Sequence, residues 1–507
     1  GRQGQDHEGP DAKGKGQGRR QAGKPDSGSN DKIIQGEFVM YKEKISAWVD
    51  AHKDEMLEDI CELCRVNSEK MPAEEDMPFG PGPAECLDTA LDMAEGYGFE
   101  TLDYDGYVGC VDMSEELPKH LDILAHLDVV PAGEGWTVTQ PFDPIEKDGR
   151  LYGRGTADDK GPAVAALYAM RAVKELGIPL KKNVRLILGT DEECGSSDIR
   201  HYYSIEKEAP MTFSPDASYP LVNVEKGRFP GHFTKEFEAS EALPKIVKIN
   251  AGTKINVVPG KAKAVVKGIE KSVLESAEAE TTQAIGVKFE NDWNGDEAEI
   301  TAVGAGAHAS TPEDGNNALT GLVNLLCRLP FAQSAQFDSL KAVAELFPHG
   351  DMNGTTIGVD MQDEISGRIT LSLNMLTVTD TTFDAEVDGR IPVCGTDENV
   401  LEVVRKRLGE HGFTLHNKAL IAPHHVSEDS DFVRTLLKAY EAYTGEKGTC
   451  QSMGGGTYVH HLKNGVAFGA SMPGVDNRMH GADEFANVYD LVTSAKIFAL
   501  AIVELCG

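Results

Sequence analysis

The chain has 507 residues and a formal net charge of −33, with 40% hydrophobic and 26% charged residues. That length is ample for a large buried core and suggests about three domain-sized units. So acidic a chain is a poor partner for the phosphate backbone of nucleic acid or for an anionic membrane surface, and neither is expected as a partner. Nine scattered cysteines, odd in number and without a compact framework, do not read as a secreted disulfide scaffold. Cys61 and Cys64 form a lone C-x-x-C on an amphipathic stretch, with no second pair to complete a zinc site, and read as packing residues. No apolar run approaches the ~18 residues of a membrane helix, and no charged-then-apolar leader is seen. The expected address is the cytoplasm.

Residues 1–36 hold nine glycines and no aromatic residue, and they read as a disordered tail or an artefact, since they cannot bury enough surface to offset ordering entropy. From Phe38 to Val66 apolar residues recur at threes and fours, the spacing of a helix. A proline- and glycine-rich loop follows, Met71 to Pro83. Leu121–Ala125 and Val184–Gly189 read as buried strands, with a helix from Pro162 to Leu176 between them. Strand, helix, strand implies a parallel crossover and an α/β sheet. The middle third has another texture: Lys245–Gly268 and Ile369–Ile391 alternate as antiparallel strands do, with helices expected at 317–329 and 335–347. After His424 the α/β texture returns, with a helix at 429–443, a glycine turn at Gly454, Gly455 and Gly456, and a last helix at 485–506. The expected architecture is an α/β catalytic domain with a mixed sheet flanked by helices, 37–224 and 423–507, interrupted by an inserted α+β lid at 225–422.

The common nucleotide and hydrolase signatures are absent. There is no G-x-x-x-x-G-K-[ST], no H-E-x-x-H and no G-x-S-x-G, and Gly304-Ala-Gly306 lacks the third glycine of a dinucleotide fingerprint. What remains is a series of His, Asp and Glu residues at the ends of the expected strands. His126 and Asp128 follow the first strand and share a face. Asp158 and Asp159 lie in a polar loop before a helix, Glu192 and Glu193 close the next strand, Asp216 follows in Ser214-Pro-Asp-Ala, and His480 lies far downstream. Singly each is weak, because a lone histidine or an acidic pair is ordinarily just polar surface. Together they cluster where parallel sheets place their sites. Imidazole and carboxylate without thiolate suits zinc, manganese or cobalt in a hydrolytic site.

The order His-x-Asp, Asp-Asp-Lys-Gly, Glu-Glu, Asp, then a distant His resembles the aminoacylase and dipeptidase family of dinuclear zinc peptidases. Trp136-Thr-Val-Thr-Gln-Pro-Phe, Gly153-Arg-Gly-Thr-Ala-Asp-Asp-Lys-Gly-Pro and Asp191-Glu-Glu-Cys-Gly-Ser-Ser-Asp look most like its peptidase V branch of bacterial dipeptidases. Asn256-Val-Val-Pro-Gly, Gly306-Ala-His308 and Asp388-Gly-Arg390 resemble its lid motifs. The resemblance implies two zinc ions, with manganese or cobalt as substitutes: His126 and Asp216 on one, Glu193 and His480 on the other, Asp158 bridging, and Asp128 orienting His126. It implies Glu192 as general base and His308 as oxyanion donor. Asn256, Arg390 and Gly454–Gly456 would grip the substrate, Arg390 by its carboxylate. A cis bond between Asp158 and Asp159 is also expected. The implied activity is hydrolysis of dipeptides, with β-alanyl-histidine among the candidates, by a monomer whose doubled lid mimics a second subunit. Alternatives are an N-acyl amino acid deacylase, such as a succinyl-diaminopimelate desuccinylase, or a non-catalytic peptide-binding relative. Thr457-Tyr-Val-His460-His461 departs from the family pattern, and both histidines read as surface or supporting residues.

Overall fold

The computed structural model describes residues 27–507; of the tail expected at 1–36, residues 1–26 lie outside the described residues, while 27–36 depart from the expectation and fall in the first helix, Ser27–Ala51. The helical spacing of Phe38–Val66 resolves into two helices, Ser27–Ala51 and Lys53–Arg65, broken at His52. At the break the His52 ring stacks on Trp48 at 3.9 Å, and its Nδ1 donates to the Trp48 carbonyl at 2.8 Å beside the backbone bond from the His52 N–H to the same carbonyl at 3.1 Å. Cys61 and Cys64 are buried on the second helix, where burial pushes the Cys61 thiol up to about 11 and raises that of Cys64 as well, so both act as small apolar residues.

The first sheet is mixed and nine-stranded. In spatial order its main path is Glu100–Tyr104, Val108–Asp112, Asn183–Gly189, Lys119–His126, Met211–Ser214, Gly465–Ala467, Leu221–Glu225 and His424–His425, with Cys450–Met453 also paired to Leu221–Glu225. Asn183–Gly189, Lys119–His126, Met211–Ser214 and Gly465–Ala467 are mutually parallel neighbours. These are near-continuous apolar runs, as expected for strands covered on both faces. The covering helices are the buried Lys160–Glu175 and Val488–Cys506. The crossover from Lys119–His126 through Lys160–Glu175 to Asn183–Gly189 is the parallel unit the sequence implies.

The second sheet has eight strands, every neighbouring pair antiparallel, and spans Gly227–Glu236 to Thr414–Leu415. Helices Lys271–Ile285, Ala318–Leu326, Ala335–Leu346 and Glu402–Glu410 accompany it. Two large hydrophobic clusters result. One draws on residues from Ile45 to Leu221 and again from Val426 to Cys506; the other runs from Phe229 to Leu415. The chain leaves the first sheet on Leu221–Glu225, enters the second on Gly227–Glu236 one residue later, and comes back on His424–His425. Among the described residues no helix is long and apolar enough to cross a membrane.

Candidate metal centre

Register brings the candidate residues together. His126, the last residue of its strand, lies level with Gly189 on the neighbouring parallel strand. The turn that follows Gly189 therefore delivers Glu192 and Glu193 beside it. Ile123 is level with Phe213 on the other side, so Asp216, two residues past that strand's end, arrives at the same height. Asp158 comes in from the loop before helix Lys160–Glu175, and its peptide bond to Asp159 is cis. His480 reaches in from the far end of the chain, in a left-handed backbone conformation with φ 62° that is uncommon outside glycine.

The contacts are close. His126 is fully buried; its Nε2 lies 3.0 Å from Asp158 Oδ1 and 3.5 Å from Asp216 Oδ2. Its Nδ1–H donates to the backbone carbonyl of Asp128 at 2.9 Å, nearer than the Asp128 carboxylate at 3.4 Å. That bond fixes the proton on Nδ1 and aims Nε2 into the cluster. The His480 Nε2 meets Asp158 Oδ2 at 3.1 Å and Glu193 Oε1 at 3.2 Å. Two groups, His126 with Asp158 and Glu193, and His126 with Glu192 and Asp216, each offer ligand atoms within 4.8 Å of one another.

Asp128 orients His126 through its main chain, while its carboxylate does something the sequence did not suggest. Its two oxygens accept the backbone N–H groups of Glu192 at 3.1 Å and Glu193 at 3.0 Å. The expected orienting residue is thus also the clamp on the turn that carries both glutamates.

Electrostatics mark the cluster as short of cations. Burial, then the neighbouring Asp158, pushes the Asp216 carboxyl up to about 6. Burial raises Glu192 well above the usual carboxylate range, with Asp216, Glu193 and Asp158 adding to it and His126 opposing. Asp159 is raised by burial and Asp216, and its Oδ1 is buried with no hydrogen-bond partner. Burial alone would lower His126, yet the carboxylates of Asp128, Asp158 and Asp216 hold it well above the ordinary imidazole value. Asp158 and then Glu193 lift His480 to about 10. Asp158 itself, against the cost of burial, is pulled down by these two imidazoles. An arrangement of nitrogen and oxygen donors, rich in buried carboxylate and free of thiolate, fits divalent cations of the zinc type.

Several supporting residues escaped the sequence reading. Glu484 is fully buried; its Oε1 accepts the N–H groups of Gly155, Ala157 and Asp158 at 3.0, 3.1 and 3.2 Å, and its Oε2 meets Arg154 Nη1 at 2.6 Å. It shapes the loop that presents Asp158. Asp198 Oδ2 accepts the N–H of Thr190 at 2.7 Å and of Asp191 at 2.9 Å, and also the Tyr458 hydroxyl, so it fixes the start of the Glu192 turn. Tyr458 stands edge-on to His126 with ring centres 6.0 Å apart. Gly189 has no room for a side chain: a Cβ there would collide with the Tyr458 hydroxyl and the Asp198 carboxylate. The signal available was the run Asp483-Glu-Phe-Ala, an acid leading directly into an apolar stretch.

The residues expected in a lid form a second group. His308 pairs through its backbone with Val257, and the N–H of Ala309 donates to the Asn256 carbonyl at 3.0 Å, so Asn256 braces the His308 turn by its main chain. The Ser310 N–H donates to His308 Nδ1 at 3.1 Å, which leaves the ring proton on Nε2. Burial and the neighbouring Arg390 and Arg228 lower the His308 pKa, so the ring is neutral at pH 7. His308 makes no hydrogen bond or ion pair with the five candidate ligands. Arg390 is only 3% exposed, and its fork is occupied: Nε and Nη2 donate to Asp388 at 2.5 and 3.0 Å, and Nη1 to the Gly454 carbonyl at 2.6 Å. Arg390, expected to grip the substrate's carboxylate, here ties strand Thr382–Ile391 to the glycine turn. Gly454 also abuts Ser310, since a Cβ there would lie 2.8 Å from the Ser310 Cβ. Gly455 faces the Met453 side chain, and Gly456 lines a cleft with Glu192 and Glu193. His460 is not free to bind metal, because Nδ1 donates to Glu225 at 2.8 Å and Nε2 to the Ala422 carbonyl at 2.8 Å.

Comparison with known proteins gives a consistent result. A profile of Peptidase family M20/M25/M40 matches residues 123–504. The chain is 35% identical over 463 residues to "Putative dipeptidase YtjP" of Bacillus subtilis, covering 89% of this chain and 97% of the relative. It is 35% identical over 468 residues to "Beta-Ala-Xaa dipeptidase" of Lactobacillus delbrueckii subsp. lactis, covering 90% and 97%. Human carnosine dipeptidase 1 superimposes with a TM-score of 0.56 at 14% identity, covering 92% of this chain and 98% of that structure, which is a likeness of fold.

Proposed function

The chain belongs to peptidase family M20/M25/M40, a family of metal-dependent hydrolases with dipeptidases among the relatives, and we propose that it is a dizinc dipeptidase of the peptidase V branch. The observation that carries the reading is the convergence of His126, Asp158, Glu193, Asp216 and His480 around Glu192. His126 and Asp216 would hold one ion, Glu193 and His480 the other, and Asp158, with one oxygen toward each imidazole, would bridge. Zinc is the assignment, with manganese or cobalt as substitutes. When bound, the ions would polarise the scissile carbonyl and acidify the attacking water.

The chain's own groups supply the rest. Glu192, held by the Asp128 clamp on its N–H, takes the proton from the water and passes it to the leaving amine. His308, neutral with its proton on Nε2, is equipped to donate to the developing oxyanion once the lid brings it over. Asn256 and the Gly454–Gly456 turn would contribute backbone groups to substrate contact. We take 225–422 as the lid on a catalytic domain formed by 37–224 and 423–507, a division supported by the two separate cores. An eight-stranded lid sheet supports a monomer, and we place the enzyme in the cytoplasm.

The test is a panel of free dipeptides, β-alanyl-histidine included, beside N-acyl amino acids, given to metal-loaded full chain. Cleavage of dipeptides is expected. Cleavage of only the N-acyl compounds would replace this reading with the deacylase. Glu192→Gln should lower turnover by roughly 10²–10⁴-fold while both metals stay bound; full activity in that variant would refute the role assigned to Glu192.

A further inference from the structure

Thr457-Tyr-Val-His460-His461, the run that departs from the family pattern, lies where the chain crosses between its two large sheets. The outward crossing is Glu225-Lys-Gly227, from the strand Leu221–Glu225 to the strand Gly227–Glu236. The return crossing passes through Ile421 and Ala422 to His424–His425. The two lie against each other. The N–H groups of Arg228 and Ile421 donate to one another's carbonyls at 2.9 Å, and a Cβ on Gly227 would come within 2.6 Å of the Ile421 carbonyl oxygen. His460 spans both: Nδ1 donates to Glu225 Oε2 at 2.8 Å on the outward crossing, and Nε2 to the Ala422 carbonyl at 2.8 Å on the return. Glu225, only 1% exposed, also accepts the Thr457 N–H at 3.2 Å and the Thr457 hydroxyl at 2.7 Å, so one carboxylate holds the ring and the chain that follows the glycine turn. Gly456 sits against the pair, since a Cβ there would lie 3.4 Å from His460 Nδ1 and 3.5 Å from Glu225 Oε2.

Both partners of the ring are acceptors only, a backbone carbonyl and an ionised carboxylate. A neutral imidazole has one N–H and can serve one of them; serving both takes the imidazolium. The surrounding charges agree. Burial opposes the charge, yet the Glu225 carboxylate and then the Ala422 carbonyl raise His460 above the ordinary imidazole value, with Arg228 pulling the other way. His461 stands edge-on with ring centres 5.1 Å apart, and His424 lies at 6.1 Å with its Nε2 engaged by the Gly465 carbonyl. Glu192, Glu193, Arg200 and Glu208 line the same cleft as His460. Among the described residues neither these nor the candidate metal ligands make a hydrogen bond or ion pair with it. The doubly bonded ring is therefore complete at and below the ordinary imidazole value, and one of its two bonds is lost as pH rises through the raised one.

We propose that His460 is a positioning residue that, as an imidazolium, staples the two crossings between the sheets to the Gly454–Gly456 turn, and that losing its proton frees the turn and weakens substrate binding. The substrate half of the inference rests on the dipeptidase reading, in which that turn contacts the peptide. The staple acts through Glu225 and Thr457 and touches no reacting atom, so it bears on how well the turn is held and not on the chemical step. Its partners are few and short-ranged, so its release loosens two named segments, 417–426 and 450–460, and leaves both hydrophobic cores as they are.

The experiment compares metal-loaded full chain with its His460→Arg and His460→Gln variants, by backbone amide exchange and by steady-state kinetics at pH 6 and pH 9. A guanidinium keeps its charge and can donate to both partners at either pH, and the cleft of about 470 Å³ that His460 lines has room for it. Glutamine offers a single nitrogen and cannot span both. Comparison at one pH cancels the intrinsic pH dependence of exchange and of the substrate's own amine. At pH 6 segments 417–426 and 450–460 should exchange alike in the parent and in His460→Arg. At pH 9 they should exchange roughly 10-fold faster in the parent, the order expected for one lost charge-assisted hydrogen bond. His460→Gln should show the faster exchange at both. With alanyl-alanine, KM of the parent relative to His460→Arg should rise roughly 5- to 10-fold from pH 6 to pH 9, with the kcat ratio unchanged. A parent that tracks His460→Arg at both pH values, a difference of equal size at both, or loosening spread over the whole chain would each overturn the staple. A KM ratio that stays flat, or a kcat ratio that moves in its place, would overturn the positioning role. Exchange needs no substrate: if no dipeptide is cleaved, the dipeptidase reading fails, while the staple stands or falls by exchange alone. Should one variant fail to fold, the parent against the other across the same pH step carries the same decision.

Discussion

Glu484→Ala is the perturbation that most sharply separates positioning from ligation, because Glu484 touches no candidate metal and yet shapes the loop that offers Asp158. Its carboxylate satisfies three buried N–H groups and the Arg154 guanidinium, which itself lies under the Trp136 ring at 5.4 Å. Deleting one partner of a buried ion pair costs about 3–5 kcal/mol, since the other charge is left alone. Each buried donor without a partner costs about 1–3 kcal/mol. The terms overlap, and burial already lifts the Glu484 carboxyl to about 7 against the pull of Arg154, so part of the ion's cost is present in the parent. A loss of about 4–6 kcal/mol is the working figure. Glu484→Gln keeps an acceptor for the three N–H groups and turns an amide toward Arg154, so it should lose only the ion-pair part. Urea unfolding of the metal-free proteins measures the stability difference, and calorimetric titration with zinc measures the second effect, a metal affinity lower by roughly 10–100-fold as expected for a lost outer partner. If Glu484→Ala unfolds at the parent's urea midpoint and binds zinc as tightly, the claim that Glu484 builds the Asp158 loop is wrong.

Asp128→Asn keeps one acceptor where two backbone N–H groups need two, so it should cost about 1–3 kcal/mol and disorder the Glu192 turn; unchanged stability and turnover would contradict the clamp. Gly454→Ala places a methyl 2.8 Å from Ser310 Cβ and should cost about 1–3 kcal/mol while raising KM, read from melting and steady-state kinetics; an alanine tolerated in both would mean that lid and turn part easily. The metal-free site holds protons that a metal must displace: His126 is raised well above its ordinary value, and His480 to about 10. Zinc binding at pH 7 should therefore release about two protons, measured by titration in buffers of differing ionisation enthalpy, and no release would mean that the two imidazoles are already neutral in the metal-free site. The same shifts fix the pH dependence without metal. Asp216, raised to about 6, contributes stability that is present below pH 4 and lost as pH rises through about 6; the His480 contribution is present below about pH 6.5 and lost toward pH 10. Metal-free protein should unfold more readily at pH 9 than at pH 6, and the reverse order would be a contradiction.

The parts of this site legible in the sequence were those tied to strand ends. Apolar runs closing on His126 and Gly189 announce a parallel sheet, and parallel register alone then brings His126, the Glu192 turn and Asp216 to one height. The ligand pattern and its resemblance to a family did the rest. What stayed hidden depends on contacts between distant segments. Glu484 lies 326 residues from the Asp158 N–H it accepts, and Tyr458 lies 260 residues from Asp198. Asp128 shows the limit differently, since spacing reveals which face it shares with His126 but not that its main-chain carbonyl holds the ring while its carboxylate holds a turn. The helix break at His52 was likewise out of reach, because the apolar periodicity continues through it.

The most direct test of a dizinc dipeptidase is to strip the full chain with a chelator and titrate zinc back while following dipeptide hydrolysis and bound metal together. No hydrolysis is expected without metal, and full hydrolysis is expected when two ions per chain are bound. Undiminished dipeptide hydrolysis by the stripped chain, or saturation of both signals with a single ion, would contradict the dizinc assignment.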